Sequence, residues 1–223
     1  MAANVSLLTL RTRVRQRTHY ENSTFVTDAE LNSWINDSYR ELYDWLTATF
    51  DAYAVSQTDN VISSANTFAL PSDFYKLLGV DLLISAPDQY QTLPRIQFSD
   101  RNTAARGYEL RGPNVVIYPY STAAGHTYRL FYVPTPTVLT ADGDTLDGID
   151  GFDELIVLDT CLKVVAKSSE DPSLFAAQKQ AMLDRVGAMA AGRDAAEPMH
   201  TTDVRLNAYP GTLVGGRYLW DIF

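Results

Sequence analysis

Residues 27–50, TDAELNSWINDSYRELYDWLTATF, decide the fold class. Thr27 with Glu30 three residues on is a capping-box pattern. The hydroxyl accepts from a first-turn N–H, and the carboxylate reaches back to the cap's own N–H. Leu31, Trp34, Ile35, Leu42, Trp45 and Leu46 then recur at spacings of three, four and seven, the mark of one buried helix face. The pattern predicts a helix to about Phe50, roughly 35 Å long at 1.5 Å per residue.

Upstream, Val5 to about Arg17 reads as a shorter helix. Leu7, Leu8, Leu10 and Val14 form its apolar stripe, and Tyr20–Ser23 break it. Downstream the texture changes at Asp51. From there to about Thr140 the chain alternates short extended runs with turns, and Ala52–Val55, Thr67–Leu70, Lys76–Ser85, Tyr108–Arg111, Asn114–Pro119 and Thr127–Val133 read as strands. Gly112-Pro113 and Ser121–Gly125 mark reversals, since Gly and Pro supply the backbone angles a turn needs. Pro71-Ser72-Asp73 starts a short turn, and Gln97–Ala105 reads as a helical turn.

Helical periodicity returns at Phe152, Leu155, Ile156, Leu158, Leu162 and Val165. Asp171-Pro172 opens a fourth helix, Asp as cap and Pro suiting a first turn that needs no N–H. Leu174, Phe175, Met182, Val186 and Met189 are expected to be its buried face, and Gly192 and Pro198 to end it. Helices from the two ends of the chain must meet to bury their stripes. The expected fold is therefore α+β: a helical bundle of residues 1–50 and 150–195, an inserted β-rich module of residues 51–149, and an extended C-terminal arm of residues 196–223.

The arm contains HTTDVRLNAYPGTLVGGRYLWDIF, residues 200–223. Pro210, Gly211, Gly215 and Gly216 oppose a helix or long strand. Tyr209 and the terminal cluster Tyr218, Leu219, Trp220, Ile222 and Phe223 are too aromatic for a disordered tail. An extended segment with a sticky tip needs a groove. Large aromatics typically anchor protein–protein contacts, which favours another subunit. The alternative is a lid folded back on its own core.

Composition narrows the function. The 223 residues carry a net charge of −9 and a pI of about 4.7, which argues against a DNA-wrapping protein but suits a surface past which DNA slides without sticking. Cys161 is the single cysteine, so no internal disulfide forms and a reducing compartment fits. No apolar run reaches the ~18 residues of a membrane span, and the charges at the N-terminus follow the apolar run, the reverse of a secretory signal.

Catalytic and metal chemistry find no support. Asp142, Asp144, Asp147, Asp150, Asp153 and Glu154 are dense, but the position where a calcium loop places Gly is Asp147; they read as a solvated acidic loop with a helix-start bias. His19, His126 and His200 lie far apart, against zinc. Cys161 sits on an apolar helix face and reads as core. No phosphate-loop, dinucleotide or nucleophile-elbow motif occurs. Arg11, Arg13, Arg15 and Arg17 are ambiguous. They can dress a solvated face, partly paired with acids of the long helix, or they can touch DNA or an acidic neighbour.

Three segments resemble a known family. TFVTDAELNSWINDSYRELYDWL is similar to the opening long helix of phage head-to-tail connector (adaptor) proteins. ALPSDFYKLLGVDLL resembles their first β segment, and IDGFDELIVLDTCLKVVAKSSEDPSLFAAQKQAMLDRV their later helix pair. The likeness spans about residues 20 to 190 and includes the tail tubular protein A type of short-tailed phages and similar connectors of long-tailed ones. It implies a structural virion protein at the head–tail junction, made in the host cytoplasm. It implies a ring of about twelve identical subunits docked beneath the portal protein, with downstream tail or nozzle proteins as further partners. The ring would extend the channel used in genome packaging and ejection, and its C-terminal extension would reach the portal or a neighbour. It implies no cofactor and no membrane. The other readings are a soluble cytoplasmic enzyme or regulator without a visible motif, and a neck or tail-terminator protein further from the portal.

Overall fold

A computed structural model describes residues 5–21, 24–50, 53–62, 66–85, 87–101, 106–119, 125–146 and 151–191. Helix α1 spans Leu7–Arg17, α2 Asp28–Thr49, α3 Asp153–Ser168 and α4 Ser173–Ala191. The Thr27 box forms as expected: Thr27 Oγ1 accepts from Glu30 N, and Thr27 N donates to Glu30 Oε2 at 2.9 Å. Burial on α2 follows the stripe at Leu31, Ile35, Tyr39, Leu42, Tyr43 and Leu46, while Trp34 and Trp45 are only partly buried at its edge. Helix α3 is the central element. It buries residues all round its circumference from Leu155 to Val165 and packs on each of the other three helices.

The middle of the chain holds strands β1 (Ser56–Val61), β2 (Thr67–Ala69), β3 (Phe74–Ser85), β4 (Gln89–Thr92), β5 (Gly107–Arg111), β6 (Asn114–Tyr118) and β7 (Thr127–Pro134). They pair antiparallel in two sheets, of order β1-β7-β3-β4 and β2-β6-β5. The expected helical turn appears as a 3₁₀ turn at Phe98–Asp100. The first expected strand is displaced. Tyr53 and Ala54 bend, and the strand begins at Ser56, because the polar run SQTDNV serves as an exposed edge on β7. Strand β4 joins the expected set as a polar addition to the β3 edge.

The pleat of β3 and β7 decides where the two cores lie. Val80, Leu82, Leu130 and Tyr132 join Ile117, Val115 and Tyr108 of the smaller sheet in one hydrophobic cluster. Leu78 and Val133 point the other way and join the helical cluster, Val133 by alternation with Tyr132 and Leu78 because the register of β3 shifts between Leu77 and Gly79. Tyr43 of α2 donates to Pro134 O at 2.7 Å and meets the Tyr75 ring edge-on at 6.3 Å. The segment after β7 is clasped by Asn36, whose side chain accepts from Leu139 N at 2.8 Å and donates to Leu139 O at 2.9 Å.

Gly107 permits one close approach. A Cβ there would lie 2.5 Å from Pro94 O and 2.7 Å from Ile96 Cγ2. Its absence lets residues 94–96 lie along β5, with Tyr108 N bonded to Pro94 O and Ile96 N to Tyr108 O. Gly107→Ala must push this segment away, and about 1–3 kcal/mol of destabilisation is expected for such overpacking. Denaturant unfolding checks this; an unchanged midpoint would show that residues 94–96 shift freely.

Candidate interaction surfaces

Helix α1 carries its four arginines onto a network inside the subunit. Arg11, only 9% exposed, pairs with Asp142 and lies 3.6 Å from Asp28 Oδ2. Arg13 pairs with Asp153 and Arg17 with Glu154. Arg15 donates to Asp28 Oδ1 at 2.8 Å and to the carbonyls of Tyr20 and Val26. The hydrogen bond from Arg15 holds Asp28 below the usual carboxylate range against the opposing effect of burial, aided by the charges of Arg11 and Arg15.

The acidic run therefore divides by task. Asp142, Asp153 and Glu154 face arginines. Asp144 turns inward on its own loop, accepting from Thr140 N and Ala141 N, and these backbone bonds lower its pKa. The loop also accepts the first N–H groups of α1, from Leu7 to Asp144 O and from Leu8 to Asp142 O. Asp147 and Asp150 lie outside the described residues. Among the described residues no three His, Cys, Asp or Glu side chains stand where they could share a metal ion. Cys161 is buried, and burial pushes its thiol up to about 12.

Single Gln substitutions separate these arginines. Arg13 and Arg17 sit in partly exposed pairs at the surface, which contribute about 1 kcal/mol or less, so Arg13→Gln and Arg17→Gln are expected to leave folding and assembly nearly unchanged. Arg11→Gln is expected to cost about 1–2 kcal/mol, because a buried cation that donates to Asp142 and lies beside Asp28 is lost. Thermal unfolding ranks them; a Gln variant that folds normally yet fails to retain the genome would assign that arginine to DNA or a partner.

Helix α4 departs from expectation. Of its five expected core residues only Val186 is buried; Phe175 and Met182 are partly buried, and Leu174 and Met189 are 64% and 50% exposed. The helix lies against α2 and α3 through Val186, Phe175, Met182 and Leu183, and Lys179 adds a polar tie. That side chain joins Lys163 and Ser38 around the buried Asp159 carboxylate, with Ser38 Oγ donating at 2.6 Å and Lys163 Nζ at 2.9 Å. Gly187 lets α4 settle on Trp45, whose ring carbons would lie 3.1–3.2 Å from a Cβ there.

A groove of about 650 Å³ opens between α1, α3 and α4, with an apolar floor of Leu158, Leu174, Phe175, Ala181 and Met182 and a rim of Arg17, Glu154 and Arg185. A shallow depression on the smaller sheet is lined by Arg95, Phe98 and Glu109. There the Arg101 and Arg111 guanidiniums stand 4.2 and 5.3 Å from the Phe98 ring. Sequence periodicity read Leu174 and Met182 as core and so missed the groove, and the basic patch left no spacing signal. The expected arm contacts, Tyr209, Tyr218, Leu219, Trp220, Ile222 and Phe223, lie outside the described residues.

The chain belongs to the SU10 adaptor protein family, whose family model matches residues 5–205. It is thus a phage adaptor, a component of the virion that joins portal and tail proteins. No curated protein matches the chain. No helix among the described residues is long and apolar enough to cross a membrane.

Proposed function

We propose that this adaptor, read as the tail tubular protein A type, closes into a ring of about twelve copies, docks beneath the portal and extends the DNA channel toward the tail or nozzle. The observation that carries this reading is the family match from residue 5 to 205, which runs through bundle, β module and into the arm. The acidic balance of −9 supports a conduit that lets DNA pass without sequence-specific binding. Residues 196–223 form the arm, and its aromatic tip anchors the subunit on another chain, the portal or a neighbouring copy. The helical residues 1–50 and 150–195 and the module 51–149 serve as its two body parts. No catalytic step is part of this reading. Native mass spectrometry of the chain mixed with its portal protein tests it. A ring-on-ring complex is expected; a monomer or small dimer that ignores the portal would contradict it.

A further inference from the structure

We propose that the groove between α1, α3 and α4 is the receptor for residues 217–223, RYLWDIF, of an adjacent copy of this chain. The inference rests on the reading above, in which the arm leaves its own subunit, and it names the surface that receives it.

Four observations converge on this pairing. First, the groove is left unfilled by the described residues. Its wall residue Leu174 is 64% exposed although it sits among Leu158, Phe175 and Met182, an apolar patch of the kind that marks an interaction site. Second, α4 presents few charges to that side. In nineteen residues it has only Lys179, Asp184 and Arg185, and Lys179 is committed to Asp159. On a subunit of charge −9, a strip so low in charge is where two copies meet with least repulsion.

Third, the groove's chemistry matches the tip. Trp220, Tyr218, Leu219, Ile222 and Phe223 suit the apolar floor. Arg185, which has no ion-pair partner among the described residues, offers a planar cation to an aromatic face or to Asp221. Fourth, the lining is as long as about five extended residues, so most of the tip fits along it. The lining from Leu174 to Arg185 runs about 17 Å along α4 at 1.5 Å per residue, and seven extended residues span about 23 Å. Residues 192–216, which join α4 to the tip, reach far enough to cross to a neighbour at up to about 3.3 Å per residue. A groove and a tip on the same chain form a head-to-tail pair, the kind of heterologous contact that closes into a ring when the rotation fits.

Mixing two variants, each with one added cysteine, tests the pairing in trans. Gln178→Cys places a thiol on the exposed groove wall and Asp221→Cys one in the tip, while buried Cys161 stays unreactive because its thiol is pushed far up. The two full-length proteins are assembled together on portal-bearing heads and treated with a short bismaleimide. A covalent heterodimer is expected, with its yield reduced by about tenfold or more when Leu174→Asp is added to the groove partner; Leu174 is exposed, so that change spares the fold. Cross-linking only within a chain carrying both cysteines would overturn the proposal and also the departure of the arm. No cross-link in either format, with normal occupancy of both variants at the head–tail junction, would overturn the groove assignment alone and leave the adaptor reading standing.

Discussion

Removal of residues 217–223 is expected to abolish ring closure, and with it docking onto portal-bearing heads, while leaving the subunit folded. Among the described residues both hydrophobic clusters are built from side chains between Val5 and Val186, so the truncated chain is expected to keep its core and its thermal transition. What it loses is the sequence Arg-Tyr-Leu-Trp-Asp-Ile-Phe. Each large apolar side chain buried at a contact contributes roughly 1.5–3 kcal/mol, so several together suffice to order an otherwise costly extended segment. Pro210 limits the freedom lost on ordering, and Gly211, Gly215 and Gly216 allow sharp changes of direction. Sedimentation of heads with the wild-type and truncated proteins reads the outcome. Unchanged occupancy of the truncated protein would show that the arm is not the anchor.

The second large effect is on stability. Asp159→Ala is expected to destabilise the bundle by about 2–3 kcal/mol, near the low end for a broken buried ion pair. The moderation comes from Lys163 and Lys179, which stay 25% and 27% exposed and keep Glu41 at 3.4 and 3.7 Å. Burial pushes the Asp159 carboxyl up, but hydrogen bonds from Lys179, Ser38 and Lys163 together outweigh it and hold the pKa below the ordinary value. A carboxylate lowered in the folded state adds stability that is complete above its unfolded pKa of about 4 and is lost as pH falls through the folded one. Glu30 behaves alike, brought down to about 2 by Lys167 and by the Thr27 cap, and Asp28, Asp59 and Glu109 shift in the same direction. Stability should therefore be level above about pH 5 and fall between about pH 4.5 and 2. In the Asp159→Ala variant the acid-induced loss should be smaller. Equal loss in both proteins would show that Asp159 does not contribute to the acid transition.

The helical frame is legible because local and tertiary signals agree there. Thr27 and Glu30 announce a cap that forms with both reciprocal bonds, and the α2 stripe is the face that α3 covers. Strands β3, β5, β6 and β7 are legible for the same reason, their apolar alternation being the side chains of two cores. Strand β4, Gln-Tyr-Gln-Thr, is not: three of its four side chains are exposed, and Tyr90 is held by Arg129 of β7 rather than by a core, so its bonds to β3 carry most of its definition. The arginine partners were partly legible. Pairing with the long helix is visible in Asp28, but Asp142 and Asp153 lie 131 and 140 residues away from Arg11 and Arg13 and meet them only through the meeting of the chain's two ends. Helix α4 misled because a 3.6-residue apolar stripe looks the same whether its cover is the same chain or another. Its exposed Leu174 and Met189 belong to a surface, not to the core.

Cryo-electron microscopy of the intact particle, focused on the head–tail vertex, tests the central claim most directly. The account predicts a closed ring of this chain in contact with the portal, its bundles side by side around an open channel, and residues 217–223 of each copy bound outside their own subunit. Density for the chain only further down the tail, away from the portal, or copies that share no ring would contradict it.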